Sequence, residues 1–372
     1  MSKPMALILQ GGGALGAFEY GVVTALVEEG WQPKAVTGVS IGAINAASIA
    51  GAKDGDIVTS LRTMWEAITL PQLPIWPATQ QADFSLLGNP NFWRSRTDYW
   101  DALNWTSYCD TAPMLNTLAT LLDFDQLNNP DHMRFGVTAT SLNTGGQVTF
   151  SNYTASNAQK RSGQLRAKRA QLTPSHIVAS GSLPPGFPAT TIDGTDYWDG
   201  GLFSNTPVDS LLNLLEPEDI ETLPIFVVDL FPTDGQASPV NLQEVNTRAI
   251  ALQYQNRFWD QYGGDAGLDG FLTVLEQIRK LAAGNEVEGS PAFDWLMRLR
   301  ALKNVHVIAS APAPAGGDHD FSQYGVRGRF AAGKAAALNY LSRLEHQAPA
   351  TQNSVTRVDA KHISRSVAAR SA

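Results

Sequence analysis

A chain of 372 residues, 43% hydrophobic and 17% charged, has the apolar content to bury a large core, which excludes disorder for its bulk. Its 35 acidic residues against 27 basic ones, a net charge of -8, exclude the basic surface that sequence-independent nucleic-acid binding requires, so no nucleic-acid partner is expected. Cys109 is the single cysteine, which excludes an internal disulfide framework and a cysteine-rich zinc site and fits a reducing compartment such as the cytoplasm.

Residues 6–10 read as a buried strand that runs straight into Gly11, Gly12 and Gly13 with no cleavage pattern, so the start is not a signal peptide. Residues 16–29 have helical spacing, with Val22, Leu26 and Val27 on one face and Gly30 placed to cap the end. A second short strand is expected over 35–39 and a second helix over 42–52. Strand, helix, strand, helix in this order predicts a parallel sheet.

Between residues 71 and 108 the texture becomes proline-rich and aromatic, with Trp76, Phe84, Phe92, Trp93, Tyr99, Trp100 and Trp105. This stretch is expected either to cover the site as a lid, lining the acyl site, or to be core, following the ordinary preference of Trp and Phe for burial. Residues 133–141 and 147–151 read as a hairpin around Gly145 and Gly146, and 191–198 as a second hairpin turning at Asp193 and Gly194. Between them lies a basic stretch with Lys160, Arg161, Arg166, Lys168 and Arg169, read as a solvated face or an attraction for anionic lipid. Residues 223–230 form a strong apolar strand and 305–309 a last one, while 242–259, 272–281, 292–302 and 325–344 have helical spacing. From His346 the apolar pattern fades into a tail expected to be mobile. No apolar run is long enough to span a bilayer, so membrane contact is expected only at the periphery.

Gly38-Val39-Ser40-Ile41-Gly42 is the single G-x-S-x-G of the chain, and it falls between an expected strand and an expected helix. A serine on such a turn projects its hydroxyl out of the sheet, and the following helix N-terminus favours negative charge there. The bland alternative is a glycine-bearing tight turn whose serine caps a helix. Gly11 to Gly16, GGGALG, also connects a strand to a helix, and its successive N–H groups suit the oxyanion of a tetrahedral acyl intermediate. The same six residues match G-x-G-x-x-G. A dinucleotide site, however, needs a carboxylate at the end of the second strand, where this chain has Val39 and Ser40; Glu28 and Glu29 come before that strand.

A serine nucleophile needs a base. Asp199-Gly200-Gly201 is the single Asp-Gly-Gly, after the hairpin ending in Tyr197 and Trp198 and just before Asn205-Thr206-Pro207. From spacing alone Asp199 is as readily a turn residue as a base. Asp229, ending the strong strand, is a second carboxylate to follow. Of the histidines, His132 and His176 read as loop and capping residues, His306 as a core histidine, His319 as a weak metal-ligand candidate between Asp318 and Asp320, and His346 and His362 as tail.

The glycine loop, the G-x-S-x-G turn and the D-G-G, in this order, resemble the patatin-like phospholipases over most of the chain from Met5 to about Val228. ASGSLPPGFP from Ala179 and DGGLFSNTP from Asp199 add to the likeness, and Asp320-Phe321-Ser322 with Arg327 and Arg329 resembles an additional C-terminal region of a bacterial branch. The resemblance implies a three-layer α/β/α fold with a mainly parallel central sheet. It also implies a Ser40–Asp199 dyad, oxyanion donors from Gly11, Gly12 and Gly13, and no cofactor or metal. Many members carry Arg or Lys where this chain has Leu15, a departure that weighs against strongly anionic phospholipid headgroups. The expected organisation is a catalytic core over 1–230, a helical region over 231–345 completing the same domain, and a tail over 346–372. The expected function is hydrolysis of carboxylic esters in lipid-like small molecules. The rivals are a nucleotide-dependent oxidoreductase using the Gly11 to Gly16 loop and a non-catalytic lipid-binding module.

Overall fold

The computed structural model describes residues 2–71, 88–153, 167–231, 238–255, 264–311 and 317–346. Along the chain, β1 (Lys3–Leu9) leads through a 3-10 turn (Gly13–Gly16) to α1 (Ala17–Glu28), then β2 (Trp31–Gly38), α2 (Ile41–Ala50) and α3 (Ile57–Ile68). Three short antiparallel strands, β3 (Gly88–Asn89), β4 (Trp93–Ser95) and β5 (Cys109–Asp110), form a separate small sheet, followed by α4 (Ala112–Leu121) and α5 (Phe124–Leu127). Next come β6 (Arg134–Ser141), β7 (Gln147–Ser151), β8 (Ala167–Arg169), α6 (Pro174–Ser180), β9 (Thr190–Ile192), β10 (Thr195–Asp199), α7 (Val208–Leu212), α8 (Pro217–Thr222) and β11 (Ile225–Asp229). The last third holds α9 (Leu242–Tyr254), α10 (Gly264–Ala282), α11 (Pro291–Arg298), β12 (Val305–Ala309) and α12 (Gln323–His346).

The central sheet has nine strands. Its parallel part runs β12-β11-β1-β2-β6, and beyond it β10 and β9 pair antiparallel, as β7 does on β6. β1 shows why the sheet is covered on both faces. Met5, Leu7 and Leu9 join a core cluster with α1, α2 and α3, whereas Ala6 and Ile8 point the other way, into a cluster with α7 and α8. A strand whose side chains alternate between two cores reads as an unbroken apolar run, which is how MALIL appears in the sequence. Helices on both faces of a mainly parallel sheet make the three-layer α/β/α arrangement that the sequence implied.

α3, unassigned from the sequence, is amphipathic: Ile57, Leu61, Met64, Trp65 and Ile68 are buried, and the Asp56 side chain accepts the Thr59 N–H at 3.0 Å as its N-cap. The C-terminal segment adds β12 beside β11 and lays α12 across α1. That crossing is close. A Cβ on Gly21 would fall 2.0 Å from the Phe330 carbonyl oxygen, and one on Gly333 2.0 Å from that of Phe18. No helix among the described residues is long and apolar enough to cross a membrane. Most of the basic stretch (residues 160–166), the first half of the aromatic stretch (72–87), the end of the expected helix over 242–259 and the tail from 347 lie outside the described residues.

Candidate active site

Ser40 sits between β2 and α2 with φ 54° and ψ -124°, a left-handed conformation that costs a non-glycine residue of the order of 1–3 kcal/mol. Its N–H is held by Ser180, through the carbonyl oxygen at 3.0 Å and the hydroxyl at 3.1 Å. The flanking glycines answer a steric demand. A Cβ on Gly38 would lie 2.1 Å from the Gly42 carbonyl oxygen, and one on Gly42 2.4 Å from that of Leu9. The turn is therefore pressed against the end of β1, and glycine is required by space on its inner side.

Asp199 ends β10 and is 2% exposed. Its main-chain N–H donates to the Ser182 carbonyl at 3.0 Å, and its carboxylate accepts the Gly201 N–H at 2.7 Å. Asp199 is thus a turn residue as well as a site carboxylate. Burial pushes its pKa up to about 6, outweighing the downward pull of the nearby Ser40 hydroxyl and of the Gly201 N–H. Ser180 and Ser182, in the ASGSLPPGFP segment, anchor Ser40 and Asp199 from the same short stretch of chain. The sequence singled out the segment without assigning these two residues.

The glycine loop differs in detail from the expectation of three equivalent donors. The Gly11 N–H donates to Asn205 Oδ1 at 3.0 Å, and Asn205 Nδ2 returns bonds to the Gly11 carbonyl at 3.1 Å and to that of Tyr254 at 2.9 Å. Gly11 is clamped, and its donor is spent. The N–H groups of Gly12 and Gly13 have no partner among the described residues. Gly13 has φ 53°, and a Cβ there would fall 2.2 Å from the Asp318 carbonyl oxygen, so the C-terminal turn at 317–319 lies directly against the loop. Beneath it, the fully buried Glu19 carboxyl accepts from Asn45 Nδ2 at 2.8 Å while Asn45 Oδ1 accepts from the Trp65 indole at 2.8 Å, tying α1, α2 and α3 together. Burial raises the Glu19 pKa well above the usual carboxylate range. Leu15 is buried in the apolar core.

These groups open on one cleft of about 200 Å³, lined by Gly11, Gly12, Gly13, Ser40 and Asp199 and walled by Ile41, Ile44, Leu183 and a set of aromatic rings. The aromatic stretch divides here. Phe92 and Trp93 line the cleft, and Trp93 is buried, whereas Tyr99, Trp100 and Tyr108 are exposed. The sequence placed Asn205 only as a neighbour of the D-G-G, and gave no site role to Phe231, Tyr254 or Asp318, which also line the cleft. Their signal is a three-dimensional one, because each comes from a separate segment.

The other candidates are elsewhere, with one exception. Asp229 is buried and accepts the Phe231 N–H at 3.0 Å. His176 closes the N-terminal cap of α6 with Thr173. His306 bonds the Tyr340 hydroxyl at 2.7 Å, and burial lowers its pKa to about 4, so it is neutral. His132 pairs with Gln126 at 2.9 Å. His346 is exposed at the end of α12, and His362 lies outside the described residues. His319 is the exception, since it lines the cleft with its Nδ1 3.5 Å from Asp318. The described residues contain no group of three potential metal ligands.

A family model described as patatin-like phospholipase matches residues 7–212, more than half of the chain. Among solved structures, VipD from Legionella pneumophila is similar at 14% identity and a TM-score of 0.37, with 91% of this chain and 67% of that chain covered. No curated protein matches the chain.

Proposed function

The chain belongs to the patatin-like phospholipase family, and from that premise we propose that it is a lipid acyl-hydrolase working through a Ser40–Asp199 dyad. The observation that carries the reading is that Ser40 and a buried Asp199 line one apolar cleft beside the Gly12 and Gly13 N–H groups, which have no partner among the described residues.

The chemistry follows from the arrangement. Ser40 Oγ attacks the acyl carbonyl as its proton passes to Asp199, and the developing oxyanion is held by the N–H groups of Gly12 and Gly13. Collapse breaks the ester bond, and Asp199 gives the proton to the leaving alkoxide. Water then attacks the acyl-serine with Asp199 as base, releasing the acid and restoring the serine. A carboxylate is a weaker base than imidazole, but desolvation raises its basicity toward that of imidazole. A pKa of about 6 supports the reading of Asp199 as the base at neutral pH.

The test uses p-nitrophenyl butyrate turnover together with fluorophosphonate labelling of the full chain. Ser40→Ala should abolish both while leaving the circular dichroism spectrum unchanged. A folded Ser40→Ala protein that keeps more than about a hundredth of wild-type turnover would remove Ser40 from its role. A wild-type protein that neither hydrolyses the ester nor takes the label would favour the non-catalytic lipid-binding alternative.

A further inference from the structure

The lining of the Ser40 cleft is of two unlike kinds. One is a packed aromatic wall, in which Trp93 lies 5.9 Å from Phe187 and 5.3 Å from Phe321, ring centre to ring centre. The other is the turn at Asp318 and His319, whose backbone lies against Gly13 of the glycine loop. The turn is built to stay in place. Arg329, 7% exposed, donates at 2.9 Å to the carbonyls of both Gly317 and Asp320 and pairs with the buried Asp320 carboxylate at 3.5 Å. Phe321, the next residue, is 3% exposed and belongs to the aromatic wall, and its carbonyl accepts the Leu70 N–H at 2.8 Å. In contrast to this fixed backbone, the Asp318 and His319 side chains are 41% and 46% exposed. Both side chains line the cleft.

We propose that Asp318 and His319 form the alcohol-side subsite of this cleft and select acyl esters of uncharged, hydroxyl-bearing alcohols, of the monoacylglycerol kind, against esters whose alcohol carries a phosphate. The proposal rests on the ester-hydrolase reading above. With the acyl chain against the aromatic wall and the carbonyl oxygen at Gly12 and Gly13, the alcohol portion leaves past the turn that abuts Gly13. A carboxylate there accepts hydrogen bonds from free hydroxyls, and the neighbouring imidazole supplies a further polar contact. The same carboxylate repels a phosphate, with ionised Asp199 adding to the effect. Among the described residues that line the cleft, none is Lys or Arg, and Arg329, the cation that acts on Asp318, is paired with Asp320 within the turn.

The experiment compares kcat/KM of the full chain for 1-decanoylglycerol and 1-decanoylglycerol 3-phosphate, both below their micellar concentrations, with p-nitrophenyl butyrate as a substrate lacking either group. The glycerol ester should be preferred by about tenfold or more, equivalent to about 1.4 kcal/mol. Asp318→Asn should shrink the preference to about threefold or less, mainly by lowering KM for the phosphate ester. Asp318→Lys should invert it, and His319→Gln should raise KM for the glycerol ester. A wild type that favours the phosphate ester, or Asp318 variants that hydrolyse p-nitrophenyl butyrate with the glycerol-to-phosphate ratio unchanged, would overturn this subsite and leave the hydrolase reading standing. A wild type inert toward all three esters and toward fluorophosphonate would overturn both.

Discussion

At the scale of single residues, Asp199 carries a conflict between stability and chemistry. Its pKa of about 6, raised chiefly by burial, means that the ionised form the proposed dyad needs as a base is the form the fold disfavours. The stability from the protonated carboxyl is fully present below the unfolded value near 3.8 and is lost as pH rises through 6, roughly 3 kcal/mol by pH 8. Asp199→Asn, neutral at every pH, should therefore abolish turnover and yet melt higher than wild type at pH 8, by a few degrees, with the gap closing toward pH 4. Thermal melts at both pH values decide it, and a variant less stable than wild type at pH 8 would refute this account. Turnover should fall below about pH 6 as Asp199 takes up its proton. A histidine base would give a limb near its ordinary 6.5, so a pH profile alone cannot separate the two, whereas the Asn substitution can. Asn205 yields a second residue-scale expectation. Asn205→Ala frees the Gly11 N–H and carbonyl and should lower kcat by about tenfold or more while changing KM little, since the proposed oxyanion donors of this loop would act mainly in the transition state. A KM-only effect in steady-state kinetics would place Asn205 in substrate binding instead.

At the scale of elements, legibility followed pattern length. β1, α1 and α2 were plain because a buried parallel strand or a long apolar helix repeats its signal over many residues, and the G-x-S-x-G and D-G-G turns marked Ser40 and Asp199 because their glycines answer local steric demands. β3 to β5 are two or three residues long and carry no period to read. α3 lies outside the expected elements although its Asp56 cap and the apolar stripe from Ile57 to Ile68 carry a helical signal. The spent Gly11 donor could not be foreseen, because it depends on a partner 194 positions away. The aromatic stretch was ambiguous for a physical reason: burial and lining are compatible for a Trp, and only tertiary contacts divide Trp93, 7% exposed, from Trp100, 88% exposed. Trp93→Leu should therefore change the acyl chain-length profile of soluble esters by several-fold, while Trp100→Ala should leave it as in wild type. Chain-length series from acetate to decanoate check this, and equal effects from the two substitutions would restore a single role for the whole stretch.

For the whole molecule, the family match ends at residue 212, yet the cleft is completed by Phe231, Tyr254, Asp318, His319 and Phe321. The expectation of a core over 1–230 with a region over 231–345 completing the same domain stands as a proposal, and the contacts of α12 describe how the C-terminal segment meets the cleft. α12 starts at Gln323, two residues beyond Phe321, and reaches Arg329, whose guanidinium fixes the turn carrying Asp318; one helical turn later Gly333 meets the Phe18 carbonyl of α1. Lys334 adds an ion pair to Glu28 at 2.6 Å on the exposed side, a pair worth at most about 1 kcal/mol. Close backbone approach is therefore what seats α12, and with it the turn against Gly13. Gly333→Ala puts a methyl where the Phe18 carbonyl lies and should separate the helices enough to cost about 1–3 kcal/mol, as overpacking does. If the turn rides on α12, kcat for p-nitrophenyl butyrate should fall along with the melting temperature, because the Gly13 donor loses the support of Asp318. Lys334→Ala, which deletes only the exposed ion pair, should change neither by much. A Gly333→Ala protein that melts lower but keeps the full kcat would make α12 a passive cover over α1.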